Sequence, residues 1–179
     1  GDSIREIRLI TQDCGSHFAR VEITYEGLTR ETPVCAGIVV HESAPDAYTL
    51  NQKEGWITYA EPLDHPETMN GEHYLGIFVA PSQLPPGGEN KSSNKQATKK
   101  ASPRGGLEGV TLSYLPLPEQ RAGGIGHAII QTTYRPGQPF IYYTGSAWSH
   151  YDVPTRAIWQ ETLRHEQRIL QNGLQLIEH

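Results

Sequence analysis

The sequence predicts an all-β fold: an antiparallel β-sandwich with one C-terminal helix packed on a sheet. Three observations carry that prediction. Short apolar or alternating runs recur eight or so times along the 179 residues, bounded by Gly, Pro, Asn, Asp or Ser. Residues 17–26 alternate cleanly, with Ala19, Val21, Ile23 and Tyr25 on one face and Arg20, Glu22, Thr24 and Glu26 on the other. That period of two marks a half-buried antiparallel strand. A single stretch, residues 154–172, carries its apolar side chains at helical spacing. Many short strands and one late helix favour a sandwich over a parallel α/β fold. The length suits one domain, residues 1–179.

The elements follow in order. Residues 4–11, rich in Ile and Leu, predict the first strand, and Asp13-Cys14-Gly15-Ser16 a turn. Residues 27–32 predict a hairpin turn into a run at 34–41 that is almost wholly apolar, the pattern of a strand covered on both faces. A short strand at 56–61 ends at Pro62, and 73–80 is another. From 82 to 106 the composition collapses into Pro, Gly, Ser, Asn and Lys. Such a stretch cannot offset its ordering entropy by burial, which predicts a long mobile surface loop. Strands at 110–115 and 127–134 flank a Pro/Gly-rich turn region. Residues 140–144 are β-branched and aromatic, and Gly145 and Ser146 are expected to break that strand. Pro154 suits the first turn of the helix; Trp159, Leu163, Glu166 and Leu170 form its apolar stripe, with Ile158 and Ile169 alongside. Gly173 suits the position just past the helix, and Leu174, Leu176 and Ile177 suggest a last short strand. Trp148 reads as the core anchor for the helix.

Charge and motifs narrow the chemistry. A net charge of -5 with acids and bases interspersed leaves no basic footprint for nucleic acid. No apolar run approaches the roughly 20 residues of a membrane span. The first residues lack a charged-then-apolar leader, as a mature secreted chain also would. Cys14 and Cys35 read as two buried free thiols rather than a disulfide. Asn90-Lys91-Ser92 matches a glycosylation acceptor. Gly-x-Ser-x-Gly, Walker and His-Glu-x-x-His motifs are absent, and Gly123-Gly124-Ile125-Gly126 precedes a strand where phosphate binding needs a helix. Asp64, His65, Glu67, Glu72 and His73 cluster, as do His150 and Asp152, but loop acids and histidines are usually just solvated; no metal and no cofactor is assigned.

Histidine is the side chain best suited to proton transfer near neutral pH. His41 ends an apolar strand and is followed by Glu42, while His127 opens another. Tyr142 and Tyr143 point to opposite faces by strand alternation, so one should pack and the other project.

Residues Ile141-Tyr142-Tyr143-Thr144-Gly145-Ser146-Ala147-Trp148-Ser149, then Asp152, Pro154-Thr155 and Trp159, form one continuous signature. Asp13-Cys14-Gly15-Ser16 and Ala36-Gly37-Ile38-Val39-Val40-His41 accompany it. Together they resemble the C-terminal half of a bacterial family of secreted β-sandwich proteins described only as a domain of unknown function. Its members occur among genes for degrading pectin-like and ulvan-like polysaccharides. The resemblance covers most of this chain but only the later half of a typical member, with Cys14 where the family has Ala. It implies a secreted or periplasmic protein and a second polypeptide supplying an N-terminal half. It further implies a lyase or dehydratase that eliminates water from uronate-containing oligosaccharides. That reaction needs a base for the proton α to the carboxylate, an acid for the departing hydroxyl, and donors or a cation for the carboxylate. The candidates are His41 or His127 as base, Tyr143 as acid and Arg135 beside the carboxylate, with Tyr59, Glu61, Tyr142 and Trp148 binding substrate. The alternative is a non-catalytic module that binds glycan through Trp148, Tyr151 and Trp56, or that completes a partner's sandwich.

Overall fold

A computed structural model describes residues 3–63, 66–79 and 109–172. Among the described residues the chain forms two antiparallel sheets and one α-helix, as the alternation and the single helical stripe predict. A six-stranded sheet runs in the order β1 (Arg5–Gln12), β2 (Phe18–Glu26), β9 (Phe140–Trp148), β6 (Glu72–Val79), β5 (Trp56–Pro62), β4 (Tyr48–Asn51). A three-stranded sheet runs β3 (Thr32–His41), β8 (Gly124–Tyr134), β7 (Thr111–Arg121). Helix α1 spans Arg156–Asn172, and the hydroxyl of Thr155 caps it by accepting the Ile158 N–H at 3.2 Å.

Alternation on the large sheet divides the apolar residues into two cores. The face toward the small sheet gathers Val21, Ile23, Ile57, Tyr59, Ile77, Val79 and Phe140, packed on Val40, Ala128 and Ile130. The opposite face gathers Phe18, Trp56, Ala60, Tyr74, Phe78 and Ala147 under Trp159 and Leu163 of α1. Central strand β5 is therefore covered on both sides. The three strands of the small sheet cannot cover six. The β9 side chains on its side, Thr144, Ser146 and Trp148, stay exposed while Ala147 between them is buried.

Glycines seat the helix. Gly76 and Gly145 are register partners across β6 and β9. A Cβ on Gly76 would lie 3.0 Å from the Trp159 ring, and one on Gly145 would lie 2.3 Å from the His17 carbonyl oxygen and 2.6 Å from the Phe18 ring. The Trp159 ring lies flat on Phe18, with centroids 5.0 Å apart, and its N–H donates to the Leu75 carbonyl at 3.0 Å. Farther along, the Glu54 carboxylate accepts bonds from Trp56 Nε1 at 2.6 Å and Arg164 Nε at 3.0 Å, and Arg164 lies over the Trp56 ring.

Several sequence expectations are corrected. Residues 27–32 are no hairpin turn: β2 pairs with β1 and β9 while β3 pairs with β8, so this segment crosses between sheets. Strand β3 is not covered on both faces; its pattern alternates, and Val39 is 40% exposed. Gly145 and Ser146 do not break β9, because a glycine is what the close approach of His17 and Phe18 requires. Strand β7 continues through Pro116 and Pro118, which an edge strand tolerates. Cys14 and Cys35 are free as expected, but exposed rather than buried. On the helix Gln167 is buried, while Ile158 and Ile169 are exposed. Trp159 and not Trp148 anchors the helix, since Trp148 is 43% exposed on the other face. Short β4 has no counterpart in the sequence reading. The stretch 82–106, Asp64 and His65, the glycosylation triplet at 90–92, Gly173 and the strand proposed at 174–177 lie outside the described residues.

Candidate functional site

Alternation along β5 carries the chain of Ile57, Tyr59 and Glu61 down the face toward the small sheet, from the core to its rim. Tyr59 is completely buried, and its hydroxyl accepts the backbone N–H of His41 at 3.0 Å. Glu61 lies close enough for its charge to act on the phenol. Burial first, and then the charge of Glu61, push the phenol above its ordinary value, outweighing the opposing pull of the His41 N–H. Tyr59 is thus a neutral phenol that holds the backbone at His41.

His41 stands at the end of β3, where the pairing with β8 shifts register between Val40 and His41. Regular alternation would send it outward with exposed Val39; the irregularity re-aims it. Its Nδ1 meets Glu61 Oε2 at 2.6 Å. A carboxylate accepts only, so Nδ1 donates, and Nε2 of the neutral ring keeps its lone pair. The imidazole is about one-third exposed and the carboxylate less than one-fifth. This is the geometry of a base held in one tautomer by a partly buried acid.

The dyad opens on a cleft of about 410 Å³. His41, Glu42 and Ser43 form one wall, Glu61, Pro62 and Leu63 another, and the β7–β8 turn at Ala122-Gly123 closes the third. Both turn residues have positive φ, 51° and 76°, the backbone of a tight hairpin. The Gly123 carbonyl accepts the Glu42 N–H at 2.9 Å and ties the turn to the end of β3.

Register extends the site across the large sheet. Glu61 pairs with His73 on β6, and His73 pairs with Trp148 on β9. All three share the face of Tyr59 and Leu75, so they form one rung at the uncovered end of the sheet. The Trp148 indole N–H donates to the Asn70 carbonyl at 2.7 Å, which fixes the ring over the rim. Serine 146 and Thr144 continue the exposed face beside it.

Of the residues singled out from sequence, His41, Tyr59 and Glu61 meet directly and Trp148 joins their rung. The others fall elsewhere. His127 is next to buried Ala128, and alternation sends it to the outer face of the small sheet between Val39 and Leu115. Arg135 lies past the far end of β8, where it pairs with Glu31 at 3.1 Å. Tyr143 stacks on Phe78 on the helix side, ring centroids 4.9 Å apart. Tyr142 shares the right face but lies six residues from Trp148 along β9, about 20 Å away at strand rise, near Glu6 and Arg8. Trp56 is buried, and Tyr151, 80% exposed, sits in the turn after Trp148, its N–H donating to the Trp148 carbonyl at 3.1 Å.

Two other acids singled out from sequence are also committed. Glu72 is bound by Arg156, whose Nε lies 3.1 and 3.2 Å from its two oxygens, and that pairing holds Glu72 below the usual carboxylate range. Asp152 pairs with His17 at 3.0 Å and not with His150, which lies beside Trp148 instead. Among the described residues no group of three or more His, Cys, Asp or Glu is arranged to hold a metal ion.

Sequence reasoning weighs His73 only as a metal ligand and leaves Ser43 and the Ala122-Gly123 turn aside. Strand alternation from Ile77 and Leu75 would have placed His73 on the inner face. Nothing local marks the turn as part of a site.

Comparison with known proteins gives one match. The family model described as a domain of unknown function (DUF4861) matches residues 1–176. No curated protein and no solved structure matches the chain.

Proposed function

The chain belongs to the DUF4861 family, and from that footing we propose that it acts on uronate-containing oligosaccharides by eliminating water. The observation that supports this reading is the His41–Glu61 contact of 2.6 Å at the wall of an open cleft, backed by Tyr59. In the proposed step His41 Nε2 takes the proton α to the sugar carboxylate. The electron pair of that C–H bond forms the new C=C bond, and the neighbouring C–O bond breaks. The departing hydroxyl takes a proton from His73 and leaves as water. Glu61 steadies the imidazolium that forms, and Tyr59, buried and out of substrate reach, is a positioning residue. Trp148 offers its exposed ring as a stacking surface for a sugar. A polymeric acidic substrate goes with a secreted or periplasmic location and with genes for polysaccharide degradation.

A second reading has its own observation. Trp148, Ser146 and Thr144 form an exposed polar–aromatic face like that of a glycan-binding module without chemistry. One assay separates the two. Uronate oligosaccharides incubated with the protein should develop the ultraviolet absorbance of an unsaturated uronate, and His41→Ala should slow it by roughly 10²–10⁴-fold. Binding without absorbance would support the module. An undiminished rate in His41→Ala would end the proposed mechanism.

A further inference from the structure

Among the described residues the large sheet has one long, regular edge. Natural sheets blunt their edges with short strands, prolines, bulges or charged side chains. Three of the four edges here use one of the first three. β4 has only four residues, β7 carries Pro116 and Pro118, and β3 carries Pro33 and ends in a register shift. β1 has none of those three and carries only charges of mixed sign, Arg5, Glu6 and Arg8. It pairs with β2 in eight consecutive registers without a shift, and every one of its residues is exposed. Of the eleven large hydrophobic side chains exposed among the described residues, four stand in or beside this strand: Ile4, Ile7, Leu9 and Ile10. Their exposures run from 40% to 61%.

The charge pattern of β1 selects an occupant. Glu6 and Arg8 lie on one face, in contact at 2.5 Å. When two copies of the strand meet edge to edge about a two-fold axis normal to the sheet, facing residues have the same parity. With the axis at Ile7, Glu6 of each copy faces Arg8 of the other, Arg5 faces Leu9, and Ile4 faces Ile10. Four charges then alternate in sign on one face, and Ile7 meets its own copy on the other. Moving the axis by one residue either way sets Arg8 against Arg8 or Glu6 against Glu6, which is destabilising. The strand is therefore complementary to itself at Ile7 and repels itself in the adjacent registers.

We propose that β1 is a homodimer interface. Two chains join antiparallel at this edge into a continuous twelve-stranded sheet, with the two-fold axis at Ile7. This inference is independent of the catalytic reading, because β1 contributes nothing to the His41 cleft.

The test is sedimentation analysis of the full chain at about 100 µM, where a micromolar association is largely complete. The expected mass is twice the chain's 19.9 kDa. Glu6→Arg and Arg8→Glu should each weaken the dimer by roughly tenfold or more, since each change places like charges opposite one another at two symmetric positions. The double variant Glu6→Arg/Arg8→Glu restores both pairs and should restore the dimer. Ile7→Lys sets two ammonium groups face to face and should give monomers with an unchanged circular dichroism spectrum. A monomeric wild type, single charge variants that dimerise normally, or a double variant that stays dissociated would each overturn the proposal.

Discussion

Removal of one oxygen atom from Tyr59 tests the core of the site. Tyr59→Phe keeps the ring, which is completely buried, so it creates no appreciable cavity. What it removes is the hydroxyl that accepts the His41 N–H at 3.0 Å. A buried N–H left without an acceptor costs about 1–3 kcal/mol. The expected total is about 2 kcal/mol, which in a domain of this size lowers the melting temperature by roughly 4–8 °C. Urea unfolding should show the same loss as a shifted midpoint at constant slope. A double-mutant cycle with Glu61→Gln should be non-additive by at least about 0.5 kcal/mol, because both side chains hold His41, one by its backbone N–H and one by its ring. Amide exchange supplies a local readout: the His41 N–H should lose protection while Val40 keeps its own. If Tyr59→Phe melts with the wild type and His41 exchange is unchanged, the hydroxyl does not hold the end of β3. The account of how the dyad is positioned would then fail.

Further outcomes follow from other contacts. His127→Ala, on the outer face of the small sheet, should leave turnover of a uronate oligosaccharide unchanged while His41→Ala and His73→Ala lower it, as read by product absorbance. Trp159→Ala should cost about 3–5 kcal/mol by urea unfolding, since it removes a fully buried indole and the ring that lies on Phe18. Glu72 titrates below its ordinary range because of Arg156, so its contribution is present above the usual carboxylate range and disappears as pH falls through the lowered value. Arg156→Met should accordingly flatten the acid limb of a stability–pH curve and leave its neutral-to-basic limb in shape. Both cysteines are exposed and free, so a thiol reagent should titrate two groups per chain without denaturant.

Strand alternation made much of this fold legible. Residues 17–26, 56–61 and 73–80 announce β2, β5 and β6 because one or both faces are buried and the period of two survives in the side chains. Local rules failed where a distant neighbour decided the matter. Gly145 looks like a strand breaker until the His17 carbonyl and the Phe18 ring are seen against it. Residues 27–32 look like a hairpin turn because nothing in them says that β2 belongs to one sheet and β3 to the other. The candidate site has the same character. His41 and Glu61 are twenty residues apart, on different sheets, and only the register shift at the end of β3 brings their side chains together. Their residue types were readable as chemistry; their adjacency was not. His127, Tyr143 and Arg135 carried equally suitable chemistry, and the topology distributed them to an outer face, the helix side and the far end of β8.

The paired glycines under α1 have a consequence for the order in which the molecule assembles. Trp159 rests on a hollow framed by Gly76 of β6, Gly145 of β9 and Phe18 of β2. No two of those strands are adjacent in sequence, so the hollow does not exist until β2, β9 and β6 lie side by side. A helix made early therefore has nowhere to sit. Docking of α1 reports completion of the sheet, and Trp159 becomes a natural optical probe for the last step of folding.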